Sequence, residues 1–497
     1  MKTKKMLITA IATIVFIAGA NAQNVNIPDT NFKAALVANE SINTNMDAEI
    51  QVSEASVFNG AINVSQLGIT DLTGIEAFVA LDSLDCSLNQ IASLNVSANT
   101  ALTYLNCSGN SDYNDFSWTN IDSLDVSANS LLTSLICSGN GLLSLNTTGL
   151  TALTYLDCSY NERVYLEGSG LGGNWFHISY PILNFTGNSA LTTLICSGNG
   201  LLSLNTTGLT ALTYLDCSYN EGGYWQGGSF GGNWVHISYL LLNFTGNTAL
   251  TTLICSGNGL LSLNTTGLTA LTYLDCSYNE GGYWQSVLGG GLNGSNWVHI
   301  SYPLLNFTGN TALTYLNCSR NGMTSLTLSG FTALTTMDCS SNQLTSLDAS
   351  GCIALTTLNC QSTNLTSLDV KNGNNINMVT FNASYNPNLS CIEVDSVEWS
   401  IANWSNNINS TASFSENCSG VGITDNNESN APMFYPNPTT GNLFITEKAD
   451  ITLTDLSGKL LLEQKNTNQL DISGLPAGIY FLNVGENNQQ TFKVIKE

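Results

Sequence analysis

Three histidines are the only imidazoles in this 497-residue chain, and His177, His236 and His299 all recur at one position of a long internal repeat. Equivalent residues two turns apart in a repeat stack stand about 10 Å from each other, far beyond shared ligation at about 2.1 Å per donor. No shared metal site is therefore expected of them. No Ser/His/Asp arrangement and no defensible carboxylate pair accompanies them, which argues against a catalytic centre. One other segment carries metal-ligand spacing: Asn43, Asn45, Asp47 and Glu54 fall at the first, third, fifth and twelfth positions of a stretch suited to a calcium loop. Asn43 stands where Asp is usual, and Ala48 where a Gly makes the sharp turn, so this is a degenerate match. A structural helix-turn-helix is the favoured reading and calcium the lesser one; no other cofactor is expected.

Cysteine is the most regularly placed reactive residue. Cys86, Cys107, Cys137, Cys158, Cys196, Cys217, Cys255, Cys276, Cys318, Cys339 and Cys360 share one slot of the pattern L-x-x-L-x-C-x-x-N-x-L-x-x-L-x-V. With Val64 before and Ala383 after in the same slot, the chain predicts about thirteen stacked turns. Neighbouring slots lie one strand spacing apart with parallel Cβ vectors, the wrong geometry for a disulfide, and one inward row forms no tetrahedral cage. Buried, reduced thiols are the expectation, and Cys352, in a slot held elsewhere by Phe331 or Leu150, also reads as core. The Asn three residues after each Cys, such as Asn89, Asn161 and Asn279, should turn inward and satisfy backbone groups at the bend, with Thr363 breaking the row once.

The pattern resembles the bacterial leucine-rich repeat of internalin-like surface proteins, with Cys where the consensus has Leu. The resemblance implies a parallel β arc whose concave face carries the residues flanking each inward Leu. With Leu156 and Cys158 inward, Tyr155, Asp157 and Ser159 should point out. The outward row then reads Tyr104, Ser134, Tyr155, Thr193, Tyr214, Thr252, Tyr273, Tyr315, and beside it run Asn106, Ile136, Asp157, Ile195, Asp216, Ile254, Asp275, Asn317. Such a striped aromatic and acidic surface suits an extended or basic partner or a glycan, although duplication of a repeat also makes stripes. Cys391 and Cys418 follow the last repeat in a segment that looks like the closing cap of this family, and a disulfide between them is expected.

Long inserts interrupt several turns after their Asn: residues 111–120, then ERVYLEGSGLGGNWFHISYP after Asn161 and related copies after Asn220 and Asn279. They hold Trp175, Tyr224, Trp225, Trp234, Tyr283, Trp284 and Trp297. As loops projecting from a flank or the back of the arc, these aromatics would offer stacking faces for sugars or anchors for a protein; folding over the solenoid and stacking on each other is the favoured alternative.

Formal charge is −24, with 12 Lys plus Arg against 36 Asp plus Glu, so the chain lacks the basic footprint of a nucleic-acid binder. Lys2, Lys4 and Lys5, an apolar run and Ala20-Asn21-Ala22 read as a signal peptide over 1–22, and no later stretch is long and apolar enough to span a membrane. Toward the C-terminus the sequence changes to MFYPNPTTGNLFI, ITLTDLSGKLLL and LDISGLPAGIYFLNV, closely resembling the C-terminal sorting domain of the type IX secretion system of Bacteroidetes. The resemblance implies a small β-sandwich that engages the secretion machinery. It matches Tyr435, Pro436, Asn437, Pro438 and Gly441 in the opening turn, Asp455, Gly458 and Lys459 in the middle turn, and Gly474, Leu475, Gly478 and Tyr480 in the hairpin.

The expected organisation is a signal peptide (1–22), a helical N-terminal cap (23–80), an α/β-type leucine-rich-repeat solenoid (81–390), a C-terminal cap (391–418), a polar linker (419–431) and the sorting domain (432–497). The expected role is non-catalytic: a secreted or outer-membrane-anchored surface protein that adheres to or recognises a protein on a host, a neighbouring cell or the matrix. Glycan binding by the inserts and a passive structural role are the alternatives.

Overall fold

The computed structural model describes residues 23–497 apart from 111–120, 168–173, 180–181, 221, 227–232, 239, 261, 287–294, 302–303, 308, 419–433, 436–438, 456–457 and 485–489. The expected signal peptide, the first insert and the expected linker lie outside the described residues. The chain divides into two compact units, Met1–Cys418 and Ser419–Glu497.

In the first unit each repeat contributes a three-residue strand to a thirteen-stranded sheet that runs from Ala61–Asn63 to Thr380–Asn382. Every pairing is parallel and in register, so Leu135, Leu156, Leu194 and Leu215 stack directly beside one another, fully buried. The Leu residues alternate with half-buried neighbours, the period-2 pattern of a sheet with one face covered. After the strand come a buried Cys and the inward Asn. Asn220 donates to the carbonyls of Cys196 and Cys217 (3.1 and 2.8 Å) and accepts from the amides of Asn199 and Leu201 (2.9 and 3.3 Å). One side chain thus replaces the hydrogen bonds that the bend denies four backbone groups. At Thr363 the hydroxyl lies 2.6 Å from Asn386 Oδ1 and 3.1 Å from the Cys360 carbonyl, keeping the row connected.

A second row of buried asparagines, Asn99, Asn129, Asn188, Asn247 and Asn310, lines the next bend. Asn188 donates to the carbonyls of Thr147 and Leu150, and its Oδ1 accepts from the Thr147 hydroxyl at 2.6 Å. Outside the core, threonines form a ladder in which Thr133, Thr154, Thr192, Thr213 and their successors each donate to the carbonyl of the threonine one turn back.

Among the described residues the α-helices lie in the caps, at Thr30–Val37, Val52–Ala55 and Val397–Trp404. In several turns the second side is a short strand instead, as in the parallel pair Ser203–Asn205 with Leu241–Asn243 and the four-stranded set ending at Ser413–Ser415. Turns of about 21 residues, with Asn, Thr and Gly at the bends, leave no room for a helix of useful length.

At the C-terminal end, Trp404 stacks on Phe381 (centroids 4.3 Å apart) and meets Trp399 edge-on, covering the last turn. Cys391 and Cys418 are disulfide-bonded, with Cα atoms 5.8 Å apart. Closing a loop of this length should stabilise the cap by about 3.5 kcal/mol. Cys391→Ser is therefore expected to lower the midpoint of the cap's unfolding transition, followed through Trp fluorescence in denaturant, to the same extent as reduction of the wild type.

The second unit is a five-stranded antiparallel sheet. Its long strand Asn442–Thr454 pairs with Phe434–Tyr435, Leu460–Asp471 and Gly478–Val484, and register shifts between Phe444 and Ala449 mark where it bends. Leu443, Ile445, Leu453, Leu470, Leu482 and Val494 form its core. The expected small β-domain is thus a bent antiparallel sheet wrapped around one core.

Candidate recognition face

The outward positions of the long sheet are set by its register. Tyr104, Ser134, Tyr155, Thr193, Tyr214, Thr252, Tyr273 and Tyr315 follow one another across eight consecutive strands, and all are half-buried. Tyr273 and Tyr315, on adjacent strands, stack with centroids 4.1 Å apart and planes 3° from parallel. Burial, then the nearby Asp157, raises the Tyr155 hydroxyl above its ordinary value, and Tyr214 is raised likewise by burial and Asp216. Each therefore stays a neutral donor throughout the physiological range.

The carboxylates beside them have a structural partner. Asp157 Oδ1 accepts from the Ser159 amide (3.0 Å) and hydroxyl (2.6 Å), and Asp216 and Asp275 hold Ser218 and Ser277 the same way. Ser159 is 4% exposed, so the expectation that it points outward is corrected. The strand ends at Asp157, and the chain bends there to place Ser159 under the carboxylate. Asn106 and Asn317 make the same two bonds to Ser108 and Ser319.

Sequence reading missed a second aromatic row. Tyr160, Tyr219 and Tyr278 have left-handed backbone (φ 53°, 53° and 56°) and are about half exposed. A Cβ on Gly198 would come within 2.6 Å of the Tyr160 ring, and one on Gly257 within 2.7 Å of Tyr219, so glycine in alternate turns makes room for each ring. In the next turn Arg320 replaces glycine and lies 4.8 Å over the Tyr278 ring. The alternation of CSYN with CSGN was the available signal.

The inserts are not plain loops, which corrects that expectation. Arg163–Glu167 pairs with Asn174–Ser179 and Gly222–Gln226 with Asn233–Ser238, and the two hairpins join in one four-stranded antiparallel sheet. Gly281–Ser286 and Ser295–Ser301 form a third hairpin. Alternating aromatic and β-branched residues favour strands, and the Gly-rich runs between them favour turns. The register places Trp175, Trp225 and Trp234 in one row across the four-stranded sheet and sets Trp284 opposite Trp297. Tyr224 stands opposite Phe176 and Val235, and Tyr283 opposite Val298. His177 and His236 belong to the four-stranded sheet, whereas His299 belongs to the third hairpin.

The calcium-type loop is internally bonded. Asn43 Nδ2 donates to the carbonyls of Val37 and Asp47, Asp47 accepts from the Glu49 amide, Asn45 Nδ2 and Gln51 Nε2, and Glu54 accepts from the amides of Thr44 and Gln51. Burial pushes Glu54 up, but these hydrogen bonds outweigh it and hold the carboxyl below its ordinary value. The carboxylates of Asp47 and Glu54 thus fasten the turn and start the helix Val52–Ala55, while the buried Asn43 Oδ1 has no hydrogen-bond partner among the described residues. Among the described residues no group of three or more His, Cys, Asp or Glu is placed to hold a metal.

In the second unit Tyr435 pairs with Phe444, Gly441 abuts Ser473, Gly458 is left-handed (φ 82°) at the turn where the Lys459 amide donates to Asp455, and Gly478 opens a strand. Pro436, Asn437 and Pro438 lie outside the described residues.

Residues 433–497 match the family model described as a secretion system C-terminal sorting domain. The functional domain of InlJ from Listeria monocytogenes, described as including a cysteine ladder, is similar in structure: TM-score 0.52, 23% identity, covering 96% of this chain and 98% of that one. A leucine-rich-repeat protein of Leptospira interrogans (TM-score 0.42, 18% identity, 71% and 78% covered) and an internalin, inlF, of Listeria monocytogenes (0.42, 16%, 72% and 96%) are more distant. No curated protein matches the chain in sequence.

Proposed function

We infer that this chain, with its internalin-like leucine-rich-repeat solenoid and its type IX sorting domain, is exported to the cell surface or the extracellular space and works there. Among the described residues no helix is long and apolar enough to cross a membrane. We propose that the protein is a non-catalytic adhesion or recognition protein that binds a protein partner on a host, a neighbouring cell or the matrix through the exposed face of its long sheet. One observation carries the reading. Asn106 and Asn317 fasten their turns as Asp157, Asp216 and Asp275 do, and Ser134, Thr193 and Thr252 occupy the tyrosine row without disturbing the register. The fold therefore requires neither the charge nor the rings at Tyr155, Asp157, Tyr214, Asp216, Tyr273 and Asp275. Half-buried surface aromatics that packing does not demand are the usual anchors of protein interfaces.

A second reading rests on the insert hairpins. A row of Trp175, Trp225 and Trp234 across one sheet suits stacking against sugar rings. An array of surface proteins and glycans, probed with the full-length protein, separates the two. Protein signals should fall at least about tenfold with Tyr155→Thr, Tyr214→Thr and Tyr273→Thr combined, the loss of several anchors. Glycan signals lost with Trp225→Ala and Trp284→Ala would favour the second reading, and protein signals indifferent to the tyrosine replacements would overturn the first.

A further inference from the structure

The recognition face repeats every second turn, not every turn. Tyr155, Asp157 and Tyr160 form one unit, Tyr214, Asp216 and Tyr219 the next, and Tyr273, Asp275 and Tyr278 a third, each separated from the last by two strand steps. The turns between present Thr193, Ile195 and Gly198, then Thr252, Ile254 and Gly257. Half-exposed isoleucines therefore alternate with carboxylates along one line, and aromatic rings flank that line on both sides. The series ends where Tyr315 follows Tyr273 without an intervening turn and Arg320 covers Tyr278.

Strands stand about 4.8 Å apart, so like units recur about every 9.6 Å. A β-strand lying along that line would rise about 3.4 Å per residue and fall out of step, whereas polyproline II rises about 3.1 Å per residue with three residues per turn, a repeat of about 9.3 Å. Aromatic-lined grooves recognise such preformed helices because little chain entropy is lost on binding. Here apolar Ile195 and Ile254 would meet prolyl rings, and Asp157, Asp216 and Asp275 would meet a cation once per turn.

We propose that the partner segment is a polyproline-II stretch with Lys or Arg at every third position, lying across the strands from about Tyr104 to Tyr315. This rests on the sheet face being the recognition surface. Charge complementarity supports it: the chain is strongly acidic, and the three carboxylates lie in a row with no described basic residue among them. The Asp residues are dispensable to the turns, so their charge is available to a ligand.

The test is fluorescence anisotropy of labelled peptides with the full-length protein. (Arg-Pro-Pro) repeated four times should bind, (Arg-Pro-Pro-Pro) repeated three times should bind at least about tenfold more weakly because its cations drift out of step, and (Glu-Pro-Pro) repeated four times should not bind. Asp157→Asn, Asp216→Asn and Asp275→Asn together should weaken the first peptide about tenfold while the thermal midpoint is unchanged, since Asn keeps the turn bonds. Equal binding of the first two peptides, or no binding of any, would overturn the inference. Array protein signals that still depend on the tyrosines would then leave the recognition face standing, whereas signals indifferent to them would remove both.

Discussion

Above pH 9 the solenoid is expected to lose stability steeply and to unfold well before pH 12. Twelve reduced cysteines are buried in it, and burial raises their pKa: Cys107 and Cys360 are pushed up to about 12 from 9.0, Cys352 to about 11, and the rest of the ladder upward in the same direction. Below pH 9 folded and unfolded chains both hold these protons, and stability does not depend on them. Above it the unfolded chain releases protons that the folded chain keeps, so stability falls by about 1.4 kcal/mol per thiol per pH unit until the folded pKa is reached. Because neighbouring turns unfold together, several thiols contribute at once. The raised tyrosines Tyr155 and Tyr214 add in the same sense. Circular dichroism against pH measures the effect, and Cys196→Val with Cys217→Val should move the transition to higher pH. An unchanged midpoint in that variant, or thiolate absorbance rising in the folded protein, would contradict the linkage.

Asn220→Ala should be among the most damaging single substitutions in the chain. Asn220 is fully buried, and its removal leaves the Cys217 carbonyl and the amides of Asn199 and Leu201 without partners in a bend that water does not reach, while the Cys196 carbonyl keeps only its bond from Asn199 Nδ2. Each abandoned buried group costs about 1–3 kcal/mol, less whatever local relaxation returns, giving a loss of about 4 kcal/mol or more. The damage should be local in a stack of nearest-neighbour repeats, so hydrogen exchange should accelerate first in the turns around Cys196 and Cys217. The control in the same turn is Asp216→Asn, which keeps its bonds to Ser218 and should change stability by less than about 0.5 kcal/mol.

These two effects come from features that differ in how openly the sequence displays them. The Cys and Asn slots recur at fixed spacing, so their inward orientation follows from the period alone. The second asparagine row also recurs, three residues before the first Leu of a turn at Asn99, Asn188 and Asn247. Its burial depends on carbonyls one turn back, and a polar residue at a bend reads as surface until that turn is placed. Tyr160 and Tyr219 needed a left-handed backbone and a glycine in the following turn, a relation between repeats rather than within one. Ser159 shows the opposite error, alternation carried past the end of a three-residue strand. In the inserts, Gly-rich tracts concealed strands whose pairing partners lie in the next long repeat. At Asn43 to Glu54 the spacing of calcium ligands coincides with that of helix and turn caps, and the carboxylates of Asp47 and Glu54 meet amides of the chain itself.

The recognition face is tested most directly by measuring the affinity of one protein partner from the array for two full-length variants of matched thermal stability. One carries Tyr155→Thr, Tyr214→Thr and Tyr273→Thr in the long sheet; the other carries Trp175→Ala, Trp225→Ala and Trp284→Ala in the insert hairpins. A loss of at least about tenfold in the first, about 1.4 kcal/mol, beside a change of less than about twofold in the second is expected if the sheet binds. The reverse pattern would contradict it and place recognition on the hairpins.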